Sequence, residues 1–308
     1  MLTHFYSKSE PISFISLLLL LLAYMIAVNF GTPFLGFSLL LDIAGRFVFF
    51  TVFVFLAQHI ITSTKVTRST HYALFVFVIL IGVYNTGLTV SKISFSSLFI
   101  LLSMLRLYSL YEKKRQRLKL FDAGLFLGIA FLLYPLSILY IIVIYVGYSL
   151  YIKTIEKELL IPIIGFLTPL FLLFSYHYVF GNMQEFITTI ELNIGFSVEK
   201  IDTLTYHISF GVLFLLLIYA IYKNIRNHAL SDSENKQSEK LVIIHFIISL
   251  LLVVFYNLNI AESIQFIFFP AAVLVGNMID LLQKKWVKEA LLMGLLIFSF
   301  ASPLWMGL

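Results

Sequence analysis

The stretch FDAGLFLGIAFLLYPLSILYIIVIYVGYSLYI, Phe121–Ile152, decides the fold. It is apolar almost throughout, and as one helix it would run about 48 Å. A bilayer core is only about 30 Å thick. Tyr134-Pro135 stands near its middle, and proline removes a helix hydrogen bond. The stretch is therefore either one overlong crossing or a hairpin of two short helices that turns near Pro135. Every later loop changes sides according to the answer.

The surrounding charges choose between them. Lys8, Lys65, Arg68, Lys113, Lys114, Arg115, Arg117 and Lys119 flank the earlier apolar blocks on one side. A single crossing would put Lys153, Lys157, Lys223, Arg226, Lys236, Lys240, Lys284, Lys285 and Lys288 on the other side. A hairpin returns all of them to the first. Then all but Arg46, Lys92, Arg106 and Lys200 of the 21 Lys and Arg residues share the cytoplasmic face. The positive-inside rule selects the hairpin.

Composition supports a membrane class. Of 308 residues, 60% are hydrophobic and 12% charged. Soluble domains carry about 25% charged residues. The apolar runs are continuous rather than alternating, which favours helices over a barrel. The spans fall near 11–30, 43–62, 71–88, 93–111, the two arms within 121–152, 159–180, 206–223, 241–257, 264–282 and 288–306. The expected fold is all-α: a polytopic bundle of about eleven membrane segments, N-terminus inside and C-terminus outside, forming one membrane domain over 1–308. Ile12–Val28 is too long for a usual signal core and is read as a retained first helix.

Each hairpin arm, about 22 Å long, is too short to span in lipid and must pack inside the bundle. Gly124 and Gly128 make a small-xxx-small pair for close helix contact. Asp122 is read as a cap for the first arm, and Arg106 as a residue that snorkels to the inner interface. The segment 181–205 is an acidic outer loop, with Phe186, Ile187, Ile190 and Ile194 at helical spacing. That spacing predicts an amphipathic helix on the membrane surface. The segment 224–240 reads as a mobile cytoplasmic loop.

Ionisable and polar residues near outer helix ends are the functional candidates. They are Asp42 and Arg46, Asn85, Tyr134, Tyr176-His177-Tyr178, Tyr206-His207, and Tyr256-Asn257 with Glu262 and Gln265. The tyrosines also fit an ordinary interfacial aromatic belt. Asp42 and Arg46, four apart, can pair on one helix face. His177, His207, Glu262 and Gln265 are candidate substrate or phosphate contacts. The chain has no cysteine, no phosphate-binding glycine loop and no H-E-x-x-H, so no cofactor and no metal is expected. The net charge of +5 is assigned to topology rather than to nucleic acid.

Phe95–Tyr151, FSSLFILLSMLRLYSLYEKKRQRLKLFDAGLFLGIAFLLYPLSILYIIVIYVGYSLY, resembles the core of the GT-C membrane glycosyltransferases. Leu159–Gly181 continues the likeness, and ESIQFIFFPAAVLVG, Glu262–Gly276, is similar to a late GT-C segment. The chain also resembles polytopic inner-membrane proteins of Bacteroidota rich in Phe, Tyr, Ile and Lys. The GT-C resemblance implies transfer of a sugar from a polyprenyl-phosphate carrier at the outer leaflet. It implies that Asp42, the acid of the first outer loop, is the catalytic base. Arg46, Lys200 and His207 would then supply cationic stabilisation of the leaving phosphate. The chain departs from the family in its short first outer loop, Gly31–Asp42, and in having no strongly basic residue at Glu262–Phe269.

Three functions stay open. One is a lipid-linked-sugar transferase. Another is a non-catalytic GT-C-like scaffold that binds membrane lipids or another envelope protein in an assembly or secretion complex. The third is a transporter, which usually shows internal repeats, whereas this chain has one broken hairpin and no second copy.

Overall fold

A computed structural model describes residues 2–7, 10–29, 36–64, 66–67, 70–84, 90–152, 158–181, 183–191, 204–227, 233–255 and 263–305. They form a helical protein with no strand among the described residues. The helices are α1 (Leu2–Phe5), α2 (Pro11–Val28), α3 (Gly36–Ser63), α4 (Tyr72–Val83), α5 (Lys92–Tyr108), α6 (Gln116–Leu133), α7 (Tyr140–Tyr151), α8 (Ile161–Phe180), α9 (Met183–Ile190), α10 (Leu204–Asn227), α11 (Ser233–Phe255), α12 (Gln265–Asp280) and α13 (Lys285–Trp305).

Local sequence sets many of the boundaries. Pro11 and Pro162 open α2 and α8, where a missing N–H costs nothing. Ser91 and Ser94 close a capping box on α5. Gly181, at φ +80°, ends α8 and donates its N–H to the His177 carbonyl at 2.9 Å.

Phe121–Ile152 is not one helix. Tyr134 leaves the helical region at φ −150°, ψ 101°, as a residue before proline prefers. A short 3₁₀ turn, Pro135–Leu139, then leads into α7. The two arms run in opposite directions. Ser96 Oγ donates to the Ala130 carbonyl and Ser103 Oγ to the Ala123 carbonyl, so α6 is antiparallel to α5. Gly147 of α7 returns to Leu107 at the C-terminal end of α5. After α7 the chain comes back to the start of α6, where Arg117 pairs with Glu158 at 2.8 Å.

The next helix, α8, lies parallel to α6 in very close contact. A Cβ on Gly124 would strike the carbonyl of Pro162, and one on Gly128 the carbonyl of Phe166. From the other side, a Cβ on Gly165 would strike the carbonyl of Phe121. The Gly124/Gly128 pair therefore serves close packing, against α8, and Gly165 completes the seam.

Two helices form the centre. All twelve residues of α4 are buried, and so is α12 from Gln265 to Gly276. They are antiparallel: Thr70 Oγ1 donates to Asp280 at 2.8 Å, Gly276 meets Ala73, and the Tyr84 ring stacks on Phe268.

One end of the bundle gathers the turns. Tyr111 donates to the Ser63 carbonyl, Asn277 to the Val66 carbonyl and Tyr72 to the Thr3 carbonyl. Tyr151 and Ser238 share a hydrogen bond at 3.0 Å. The Glu289 carboxylate accepts from the Leu2 and Thr3 N–H groups and the Thr3 hydroxyl, capping α1. These contacts define a basal end that carries the basic turn Glu112–Lys119 and the turn before α13.

Three expectations change. Asp122 does not cap α6, which begins six residues earlier at Gln116; its carboxylate instead pairs with Arg106 at 3.2 Å. Arg106 is therefore held by a neighbouring helix rather than simply extended towards an interface. Most of 224–240 is helical: Asn224–Asn227 completes α10 and Ser233–Lys240 begins α11, leaving 228–232 outside the described residues. A short helix, α9, does follow Gly181, while Ile194 lies outside the described residues.

Among the described residues, five helices are long and apolar enough to cross a membrane: those within Pro11–Val28, Leu40–Ser63, Lys92–Glu112, Ile161–Phe180 and Lys236–Phe255. Their outer faces are apolar as well. On α2, Ile12, Ile15, Leu19, Leu22 and Ile26 are exposed along one helical stripe, while Leu17, Leu21, Tyr24 and Met25 are buried on the other. A helix apolar all round suits hydrocarbon, not water.

Replacing Gly128 by Val should destabilise the bundle by about 1–3 kcal/mol or more, the usual cost of overpacking. Unfolding of the detergent-solubilised protein by a denaturing detergent would read it. Gly294→Ala, at a glycine with open space around it, should be close to neutral in the same assay.

Candidate functional site

The sequence candidates separate into three places. Asp42 and Arg46 stand one turn apart on α3 and form an ion pair. The pair is on the accessible face, with Asp42 49% and Arg46 27% exposed. Helical spacing alone brings them together, since residues four apart share a face. The pairing satisfies each with the other. The contact uses one carboxylate oxygen, Oδ2.

His177 is elsewhere, on α8. It is 8% exposed and lies among the rings of Tyr176 and Phe186, with centroids 5.4 and 6.3 Å away. Phe186 comes from α9, so α9 folds back over this histidine. Gln265 is elsewhere again, 1% exposed at the start of α12. Lys200, Glu262 and the side chain of His207 lie outside the described residues. Among the described residues, no three His, Asp or Glu side chains come close enough to hold a metal ion.

Around Gln265 the structure assembles a polar cluster in the interior. Its centre is His245 of α11, 1% exposed. His245 Nδ1 lies 2.9 Å from the Tyr108 hydroxyl of α5. Ser249, one turn on, donates its hydroxyl to the His245 carbonyl at 2.8 Å. Its single proton is thereby used. The Tyr140 hydroxyl, 2.8 Å from Ser249 Oγ, must therefore be the donor in that contact. The rings of Phe269 and Tyr140 pack on the imidazole. A cavity of about 10 Å³ opens beside it, lined by Ser97, Gln265, His245 and the rings of Phe53, Phe266 and Phe269. That volume, with those polar atoms, is at the size that holds one water.

This cluster joins α5, α7, α11 and α12. Its chemistry is that of a structural hydrogen-bond network: hydroxyls, one imidazole and the Gln265 amide, with no carboxylate or cation in it among the described residues. Neither His245 nor the interior tyrosines stand out as functional candidates in the sequence. Tyr24, Tyr84, Tyr108 and Tyr140 are all buried at 1% exposure or less. The signal that was available is that a histidine inside an apolar helix is costly without a partner. The partner itself was hidden, because Tyr108 is 137 residues away.

A helical fold with five apolar helices of membrane-crossing length suggests a membrane protein. The chain belongs to a family of unknown function, DUF6427, which it matches over residues 1–302. No curated protein and no solved structure matches it.

Tyr108→Phe should cost about 1–3 kcal/mol, because it deprives a buried imidazole nitrogen of its partner. Tyr111→Phe removes a longer, part-buried contact at 3.3 Å and should cost less. Thermal unfolding in nanodiscs would compare the two.

Proposed function

We propose that this is a multi-pass bacterial inner-membrane protein that acts as a non-catalytic, GT-C-like scaffold in the cell envelope, holding lipid and a partner envelope protein. It has about eleven membrane segments, with the basal end in the cytoplasm. The grouping of the basic turns near one end supports this orientation through the positive-inside rule. The returning hairpin Phe121–Ile152 supports the GT-C likeness, because its arms pack inside the bundle as short helices must. The observation that carries the scaffold reading is the Asp42–Arg46 pair: the one carboxylate assigned a catalytic role is already neutralised by a cation of its own helix.

The same two side chains are also compatible with a second reading, transfer of a sugar from a polyprenyl-phosphate carrier at the outer leaflet. A carboxylate to take the acceptor proton and a cation to balance the leaving phosphate are what such a transfer requires, and here they are adjacent. In that case substrate binding would separate them.

Asp42→Asn discriminates the two. On the scaffold reading the variant folds, with a stability change of about 0.5 kcal/mol or less for an exposed helix pair. It also keeps any stoichiometric partner that co-purifies with the wild type. If purified wild-type protein transfers sugar from a polyprenyl-phosphate donor and Asp42→Asn does not, the transferase reading replaces it.

A further inference from the structure

A second feature lies at the basal end, away from Asp42 and from the His245 cluster. The last two turns of α10 and the turn between α12 and α13 enclose an open groove of about 590 Å³. Lys223 and Arg226 enter it from α10, and Lys284 from the turn. Among the described residues no carboxylate pairs with any of the three, and none lines the groove. Three other cations are matched: Arg106 to Asp122, Arg117 to Glu158 and Lys119 to Glu112. Three unmatched cations around one concavity repel each other, and an anion would relieve that repulsion.

The rest of the lining says which anion. Tyr219 and Tyr222 flank the cations: Lys223 Nζ lies 5.9 Å from the Tyr219 ring centre, and Arg226 reaches the Tyr222 hydroxyl at 3.5 Å. Leu281, Leu282 and Val287 give the groove an apolar floor. Just above it on α10, Phe214, Leu215 and Ile218 are exposed. Trp286, 70% exposed, stands beside Lys284 and Lys285. Tyrosine and tryptophan next to cations, with apolar surface on one side, is the pattern of a helix end at headgroup depth. Asn224 fixes the rotation of α10 here by donating to the Leu274 carbonyl at 3.0 Å, so Lys223 and Arg226 are held towards the groove by a buried contact.

We propose that this groove binds the phosphate headgroup of an anionic phospholipid of the cytoplasmic leaflet, with Lys223, Arg226 and Lys284 on the phosphate. The acyl chains then lie along the exposed face of α10. The assignment rests on the membrane reading of the fold, and not on whether Asp42 is catalytic.

The test is native mass spectrometry of the full chain released from nanodiscs of phosphatidylglycerol or phosphatidylcholine. A cation near an anionic surface contributes about fivefold in affinity, so three should give retention of phosphatidylglycerol about a hundredfold above phosphatidylcholine. The combined variant Lys223→Gln, Arg226→Gln and Lys284→Gln should lose that preference. Lys113→Gln with Lys114→Gln and Arg115→Gln, which removes the same charge from the other basic turn, should keep it. Equal loss in both variants, or persistence in the groove variant, would overturn the site. Displacement of the lipid by millimolar inorganic phosphate would overturn the lipid as its source. Should the groove variant not fold, a photo-reactive residue in place of Val287 in the otherwise wild-type chain must label phosphatidylglycerol, and failure to label overturns the proposal. Retention of no phospholipid of either kind would count against the membrane reading itself. Equal retention of both would sink only the groove.

Discussion

The close contact of α6 with α8 is the constraint on which the rest of the bundle depends. The apolar part of α6, Ala123–Leu133, is shorter than the roughly 17 residues a crossing needs, so the helix has to be held by its neighbours. The first arm of Phe121–Ile152 lies backbone to backbone against α8, with Gly124, Gly128 and Gly165 in place of side chains. Any larger residue there would push the two helices apart. Once α6 is held, α5 follows, through the serine bonds to Ala123 and Ala130. The 3₁₀ turn at Pro135 then sends α7 back along α11, where Tyr140 meets Ser249 and Tyr151 meets Ser238.

A second device recurs across the interior. A helix serine gives its proton to a carbonyl of its own preceding turn, then accepts a tyrosine hydroxyl from another helix. Ser16 receives Tyr6, Ser249 receives Tyr140 and Ser299 receives Tyr24, at 3.0, 2.8 and 2.5 Å. Such bonds add direction to a core whose aliphatic contacts have none. They also explain how a core can take in so many tyrosines: each hydroxyl brings a polar atom that needs a partner, and serine supplies one without adding charge.

The two ends of the molecule differ in what they expose. The basal end carries matched ion pairs, the Glu289 cap on α1 and one groove whose cations meet no carboxylate among the described residues. Asp42 and Arg46 lie on α3, far along the chain from these turns, and are matched to each other. Asp42 is matched by Arg46 on its own helix, whereas no described carboxylate pairs with the cations of the groove.

The helical class and the break at Tyr134-Pro135 were both legible in the residues, because hydropathy and proline chemistry act locally. So was the Asp42–Arg46 pair, since a spacing of four is a property of one helix. What Gly124 touches, what Asp122 pairs with and where His245 finds its hydroxyl were not. Each depends on a partner in another helix, and apolar helices of similar composition carry no mark of which neighbour they choose. The basic residues can be counted from the sequence, but only the packing of α10 against α12 brings Lys223 and Arg226 beside Lys284. Charge is written in the sequence; its concentration into a groove is set by where the backbone turns bring it.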